Sequence, residues 1–244
     1  MSEAFIRTAR VMGSRAMEKI RASRIAVFGV GGVGGNCAEA LARSGVGALD
    51  LIDNDSVAVS NLNRQVFAVY STVGMRKVEA AKLRLLDINP DLKINPVDLF
   101  YLPEESGKID FSEFDYIVDA IDTVTAKLDI IERAIRCGTP VISSMGCGNR
   151  TDPSKLKICD VYETSGDPLA KVMRRELRKR GIRRLTVCCS EEAPAVPLNY
   201  AEADADQHRR SIPGSTAFVP PAAGILIASY VIRQLVQYDP ADRE

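Results

Sequence analysis

The apolar positions of the chain follow two different periods. Arg24–Phe28 (RIAVF) and Ala48–Ile52 (ALDLI) are short, nearly continuous apolar runs, as a strand covered on both faces requires. Between them, Gly34–Arg43 spaces its apolar residues as one face of a helix does. The alternation continues with a helix predicted over Val73–Asn89, stopped by Pro90, and a weaker strand over Lys93–Asp98. Tyr116–Ala120, following Phe111 and Phe114, reads as a strand, Thr125–Cys137 as a helix closed by Gly138, and Pro140–Met145 as another strand. Strands alternating with helices predict an α/β fold with a doubly wound, mainly parallel sheet and helices on both faces.

After Gly146 the pattern loosens into a C-terminal elaboration. A strand is predicted over Leu156–Tyr162, a helix over Pro168–Arg180 and a strand over Leu185–Cys189. Ala193–Pro213 reads as a long surface loop ahead of a terminal helix over Ala222–Tyr238. Without a repeat or a linker, residues 1–244 are expected to form one domain, with a core in 1–150 and the elaboration in 151–244. Ser211–Ile232 carries no charge over 22 residues, but Pro213, Pro220 and Pro221 interrupt its first half. The remaining helix would be about 25 Å long against a hydrocarbon core of about 30 Å, which predicts a buried helix and no membrane partner.

Composition narrows the function classes. With 32 basic and 32 acidic residues the formal net charge is zero, so a polyanionic partner must be held by a local patch. The six cysteines (37, 137, 147, 159, 188 and 189) form no CxxC pair and follow no signal peptide. Reduced thiols, a cytoplasmic location and no structural zinc are expected. His208 is the single histidine, which argues against a Ser-His-Asp triad and against a multi-histidine metal site.

Gly29-Val30-Gly31-Gly32-Val33-Gly34 leaves the first strand and opens the first helix. Glycines there admit a polyphosphate to backbone N–H groups and to the positive end of the helix dipole. Asp53, at the end of the second strand, stands where a carboxylate can bind ribose hydroxyls. These features alone would suit a dinucleotide dehydrogenase. The next run, Asp53 to Gln65 (DNDSVAVSNLNRQ), adds Asn61 and Arg64 beside the loop, and Lys77 stands near the start of the following helix. Two cations converging on one phosphate loop suit a triphosphate and a leaving pyrophosphate better than hydride transfer. Asp122, just past the Tyr116–Ala120 strand, suits a magnesium ion shared with the nucleotide.

GxGGVG, DxDxVxxSNLNRQ, the VGxxK of Val73–Lys77 and the DAID ending in Asp122 occur in this order, and together they resemble the ThiF/MoeB/HesA adenylating enzymes. The resemblance implies a Rossmann-like fold and a carboxylate joined to AMP, with ATP on Gly29, Gly31, Gly32, Gly34, Asp53, Asn61, Arg64, Gln65 and Lys77. Arg64, Lys77 and Asp122 would be catalytic, Asp122 through magnesium. It also implies a homodimer in which Arg7 or Arg10 reaches into the neighbouring subunit's site; both fit one helix face, and the choice stays open.

Two branches of that family are distinguishable. Activators of ubiquitin-like or sulfur-carrier proteins commonly carry two CxxC pairs, absent here. Thr8-Ala9-Arg10, Asp167-Pro168-Leu169-Ala170, Ser190-Glu191 with Pro194, Gly214-Ser215 and Phe218–Gly224 instead resemble the tRNA threonylcarbamoyladenosine dehydratases. That resemblance implies adenylation of the base's carboxylate and dehydrative ring closure, and leaves open whether a sulfur-transfer protein assists. Cys188-Cys189 departs from the branch's apolar residues and reads as two small core residues. Lys171 to Arg184 holds eight bases against Glu176 alone. Lys171, Arg174, Arg175 and Arg178 share a helix stripe suited to tRNA phosphates, with a solvated face as the alternative.

Overall fold

Seven strands hydrogen-bond into one sheet in the order β3-β2-β1-β4-β5-β7-β6, in the computed structural model, which describes residues 3–196, 198 and 213–238. The strands are β1 (Arg24–Phe28), β2 (Ala48–Ile52), β3 (Lys93–Val97), β4 (Tyr116–Asp119), β5 (Val141–Ser144), β6 (Leu156–Asp160) and β7 (Thr186–Ser190). All pairings are parallel except β6 with β7. The strand order reverses at β1, between β2 and β4. In an open α/β sheet, the crevice beyond the carboxyl ends at such a point is where ligands bind.

Strand periodicity sorts the side chains into layers. Ile25 and Val27 of β1 enter one core with α2 (Ser14–Ala22), α3 (Gly34–Arg43), α4 (Lys77–Ile88) and α7 (Val219–Val236). Ala26 and Phe28 face the other side, against α5 (Val124–Cys137) and the rings of Tyr101 and Phe111. A third cluster joins α5, α6 (Pro168–Lys179) and β7. The short α1 (Ile6–Met12) precedes α2 and buries none of its own residues. The doubly wound, Rossmann-like expectation therefore holds.

Two predicted helices differ in where they begin. The helix expected over Val73–Asn89 starts at Lys77, because Gly74 takes φ +89° and the chain pairs back on the loop after β2. Val57 N donates to Met75 O, Gly74 N to Val57 O and Lys77 N to Asp55 O. The terminal helix starts at Val219 rather than Ala222, so Pro220 and Pro221 sit inside its first turn. Proline is tolerated there because first-turn N–H groups have no intrahelical acceptor.

α7 is long and apolar enough by composition to cross a membrane, yet half of it is buried in the fold. Gly224 shows how closely it packs, since a Cβ there would lie 2.3 Å from Val33 O on α3's entry. Cys188 and Cys189 point to opposite faces, into two different cores. Burial pushes the Cys189 thiol up to about 12 and raises Cys188 as well, which fits small core residues rather than nucleophiles. Most of the loop expected over 193–213, with His208, lies outside the described residues; residues 193–196 form no helix or strand.

Candidate active site

The turn from β1 into α3 is built by contact. Gly29 adopts φ +87°, and a Cβ on it would sit 2.7 Å from Ala120 O. A Cβ on Gly34 would lie 1.8 Å from Gly29 O, so neither position can carry a side chain. Gly31 has open space, with only Gln65 Nε2 nearby at 3.8 Å from its would-be Cβ. The N–H groups of Gly31, Gly32 and Val33 have no acceptor among the described residues. They open α3 with no side-chain cap, so the helix's positive end is free for an anion.

Asp53 fixes the other wall. One carboxylate oxygen accepts from Val30 N at 2.7 Å and the other from Asp55 N at 2.8 Å. Lys77, the first residue of α4, places Nζ 2.7 Å from Asp55 and 3.9 Å from Asp53. Burial pushes the Asp53 carboxyl up, and Lys77 pulls against it. The late start of α4 is what puts a buried lysine beside Asp53.

Arg64 differs from Lys77 in having no carboxylate partner among the described residues. Its Nη1 donates to Ser60 O at 2.8 Å and to Asn63 Oδ1 at 2.9 Å, and desolvation lowers its pKa. The Arg64 Cγ lies 3.5 Å from where a Cβ on Gly32 would stand. A half-buried guanidinium against a loop of free N–H groups is an arrangement of donors suited to an anion. Gln65 is buried beside the same loop, whereas Asn61 is turned away in part, with Oδ1 accepting from Ala58 N at 3.0 Å.

Asp122 is exposed, three residues past β4 and next to the Ala120–Ile121 contact of Gly29. Its carboxylate makes no hydrogen bond or ion pair among the described residues. No group of three or more His, Cys, Asp or Glu that could hold a metal occurs among those residues. A single free carboxylate at this edge of the sheet is the kind of ligand magnesium uses, since that ion takes one or two protein oxygens and fills its shell with phosphate and water.

Sequence reasoning passed over the groups beneath and beside this crevice. Lys127 and Asp119 form a buried ion pair at 2.9 Å, and Ser143 Oγ donates to Asp119 at 2.6 Å. A lysine on a helix carries no sequence signal of burial. Arg150 is also buried; it reaches Asp167 at 3.1 Å, Glu192 O at 2.9 Å and Gly146 O. Asp167 caps α6 through Ala170 N, so Arg150 ties the loop after β5 to the basic helix.

The remaining predicted residues lie outside the crevice. Arg7 and Arg10 are exposed on α1 and make no ion pair among the described residues. On α6, Lys171 and Arg175 are exposed, and the Arg178 guanidinium lies over the Tyr162 ring, 5.0 Å from its centroid. Arg174 is bound inward to Thr164, with Nη1 2.9 Å from its carbonyl oxygen. The stripe is therefore not uniform, since one of its four members holds a loop.

The chain is 39% identical over 244 residues to the tRNA threonylcarbamoyladenosine dehydratase of Bacillus subtilis, covering 97% of this chain and 96% of that protein. Its structure superposes on Escherichia coli tRNA N6-threonylcarbamoyladenosine dehydratase (TcdA) bound to AMP with a TM-score of 0.87. The ATP complex of the same protein gives 0.83; in both, identity is 31%, and 96% of this chain and 94% of that one are covered. The ThiF family pattern matches residues 5–243, and the chain belongs to the ThiF family.

Proposed function

We propose that the chain is an ATP-dependent tRNA threonylcarbamoyladenosine dehydratase. The observation that carries the nucleotide half of this reading is Arg64, a half-buried cation set against the N–H groups of Gly31, Gly32 and Val33, with neither a carboxylate on the cation nor an acceptor on those N–H groups among the described residues. The relatives named above supply the substrate: a hypermodified adenosine whose side chain ends in a carboxylate.

A carboxylate is a poor electrophile, so the first step converts it. One of its oxygens attacks the α-phosphorus of ATP; the new O–P bond forms as the bond to pyrophosphate breaks. The loop N–H groups and Arg64 stabilise charge on the phosphates, Lys77 adds a buried positive charge, and Asp53 orients the ribose. Asn61 and Gln65 line the nucleotide's approach. Asp122 would hold magnesium, which supplies further charge neutralisation at the phosphates. The ureide oxygen of the same side chain then closes on the activated carbon, a proton leaves the ureide nitrogen and AMP departs. Tethering gives that oxygen a high effective molarity, so no cysteine nucleophile is needed.

The tRNA is held along α6 by Lys171, Arg175 and Arg178 through phosphates, a sequence-independent contact. Arg7 or Arg10 completes the site of a second subunit in a homodimer; exposed Ile6 and Val11 on the same short helix support a partner there. A cytoplasmic location follows from the substrate. Incubating the protein and ATP with tRNA, followed by nucleoside mass spectrometry, should reveal loss of one water from the modified adenosine. Pyrophosphate exchange that requires instead a protein ending in Gly-Gly would assign the chain to activation of a ubiquitin-like or sulfur-carrier protein.

A further inference from the structure

Both ends of the Asn63 side-chain amide are engaged. Oδ1 accepts from Arg64 Nη1 at 2.9 Å, and Nδ2 donates to Ser215 O at 2.9 Å, across 152 positions of chain. Rotating the amide by half a turn would set N–H against guanidinium N–H and oxygen against carbonyl, so its orientation is fixed.

The consequence falls on Arg64. Nη1 carries two protons, and Ser60 O and Asn63 Oδ1 take one each. One anchor would leave the guanidinium plane free to turn about that bond; two define it. Nε and Nη2 are left on the opposite edge, the pair of donors that bind a phosphate bidentately.

The far end of Asn63 is equally well held. Ser215 follows Gly214, whose N–H donates to Asn149 Oδ1 at 2.6 Å and whose carbonyl accepts from Asn149 N at 2.8 Å. Thr216 Oγ1 donates to Arg150 O at 3.3 Å. Asn149 takes φ +58°, a conformation asparagine tolerates better than most side chains. Through Arg150 the connection continues to Asp167, the cap of α6.

We infer that Asn63 is a positioning residue. It sets the plane of Arg64 for the triphosphate and makes that setting depend on how residues 213–216 seat on the loop after β5. This inference rests on the nucleotide reading above.

The test is a double-mutant cycle on ATP affinity, measured by calorimetry with the full chain. Asn63→Ala is expected to weaken ATP about tenfold when Arg64 is present and less than about twofold when Arg64 is already alanine. Arg64→Lys replaces Arg64→Ala if the latter binds too weakly to measure, and Asn63→Ser replaces Asn63→Ala if the melting temperature falls. Equal losses in both backgrounds would show that Asn63 acts without Arg64 and overturn the assignment. ATP binding absent from the unaltered chain would overturn the nucleotide reading itself, a separate result.

Discussion

Lys127 Nζ lies 2.9 Å from Asp119 Oδ2, with both side chains fully shielded from solvent at the carboxyl end of β4. Ser143 Oγ completes the arrangement by donating to the same carboxylate oxygen. Removing one member strands a buried charge, which costs far more than the pair contributes. Lys127→Ala should therefore destabilise the fold by about 3–5 kcal/mol in urea unfolding. Replacing Lys127 and Asp119 together by Met and Leu should recover much of that loss; no recovery would mean that the pair is not the reason.

Arg64→Ala should lower AMP formation at least about 100-fold, the scale of losing an oxyanion donor. Its folded-state contacts are two hydrogen bonds to neighbouring residues, so the melting temperature should move by only a few degrees. A large drop in melting temperature with activity kept would make the residue structural.

Two glycines of the same loop should behave oppositely. Gly34→Ala drives a methyl into Gly29 O and should cost several kcal/mol, seen as a marked fall in melting temperature. Gly31→Ala meets nothing closer than 3.8 Å, so the fold should persist while ATP affinity falls. Near-normal ATP affinity in Gly31→Ala would place the phosphates elsewhere.

Much of this was legible in the sequence, for a physical reason. β1, α3 and β2 fall where the apolar pattern puts them because strands covered on both faces must be apolar throughout. The glycine loop, Asp53, Arg64, Gln65 and Lys77 converge because the parallel topology brings consecutive strand ends to one edge. Other features depend on distant partners. The start of α4 is set by pairing of residues 74–77 with 55–57, and the antiparallel direction of β6 by its register on β7. Lys127 and Arg150 look like surface cations in sequence and are buried only because Asp119 and Asp167 meet them. Arg174 fits its stripe by spacing, but the Thr164 carbonyl takes it inward.

The pH dependence of Asp53 has a definite sign. Burial pushes its folded-state pKa above the ordinary value, outweighing Lys77. The folded chain thus holds this proton more tightly than the unfolded one, and stability from this group falls as pH rises through the folded pKa. Urea unfolding of the unaltered chain should therefore show this contribution to stability declining as pH rises above about 4. Asp53→Asn should flatten that slope and lose ATP, and it should also lower stability at every pH, because an amide leaves either Val30 N–H or Asp55 N–H without its acceptor. A slope unchanged in Asp53→Asn would trace to other groups.

For tRNA, Lys171, Arg175 and Arg178 changed together to alanine should weaken binding and flatten the log-log salt dependence by roughly one unit per lost phosphate contact. ATP affinity should be unchanged. Arg174 is left in place, because its bond to Thr164 would confound binding with folding. Unaltered tRNA binding across salt would make α6 a solvated face.

The contact of Gly224 with the entry of α3 also bears on when this protein can fold during synthesis. The helix that supports the phosphate loop from below, Val219–Val236, is made long after that loop. Its partners Val33 and Cys37 emerge from the ribosome long before it does. Until then one apolar face of α3 and of the sheet waits uncovered, a delay that exposes the nascent chain to aggregation and to chaperones. Nucleotide competence thus waits on Val219–Val236 rather than following directly on synthesis of the phosphate loop.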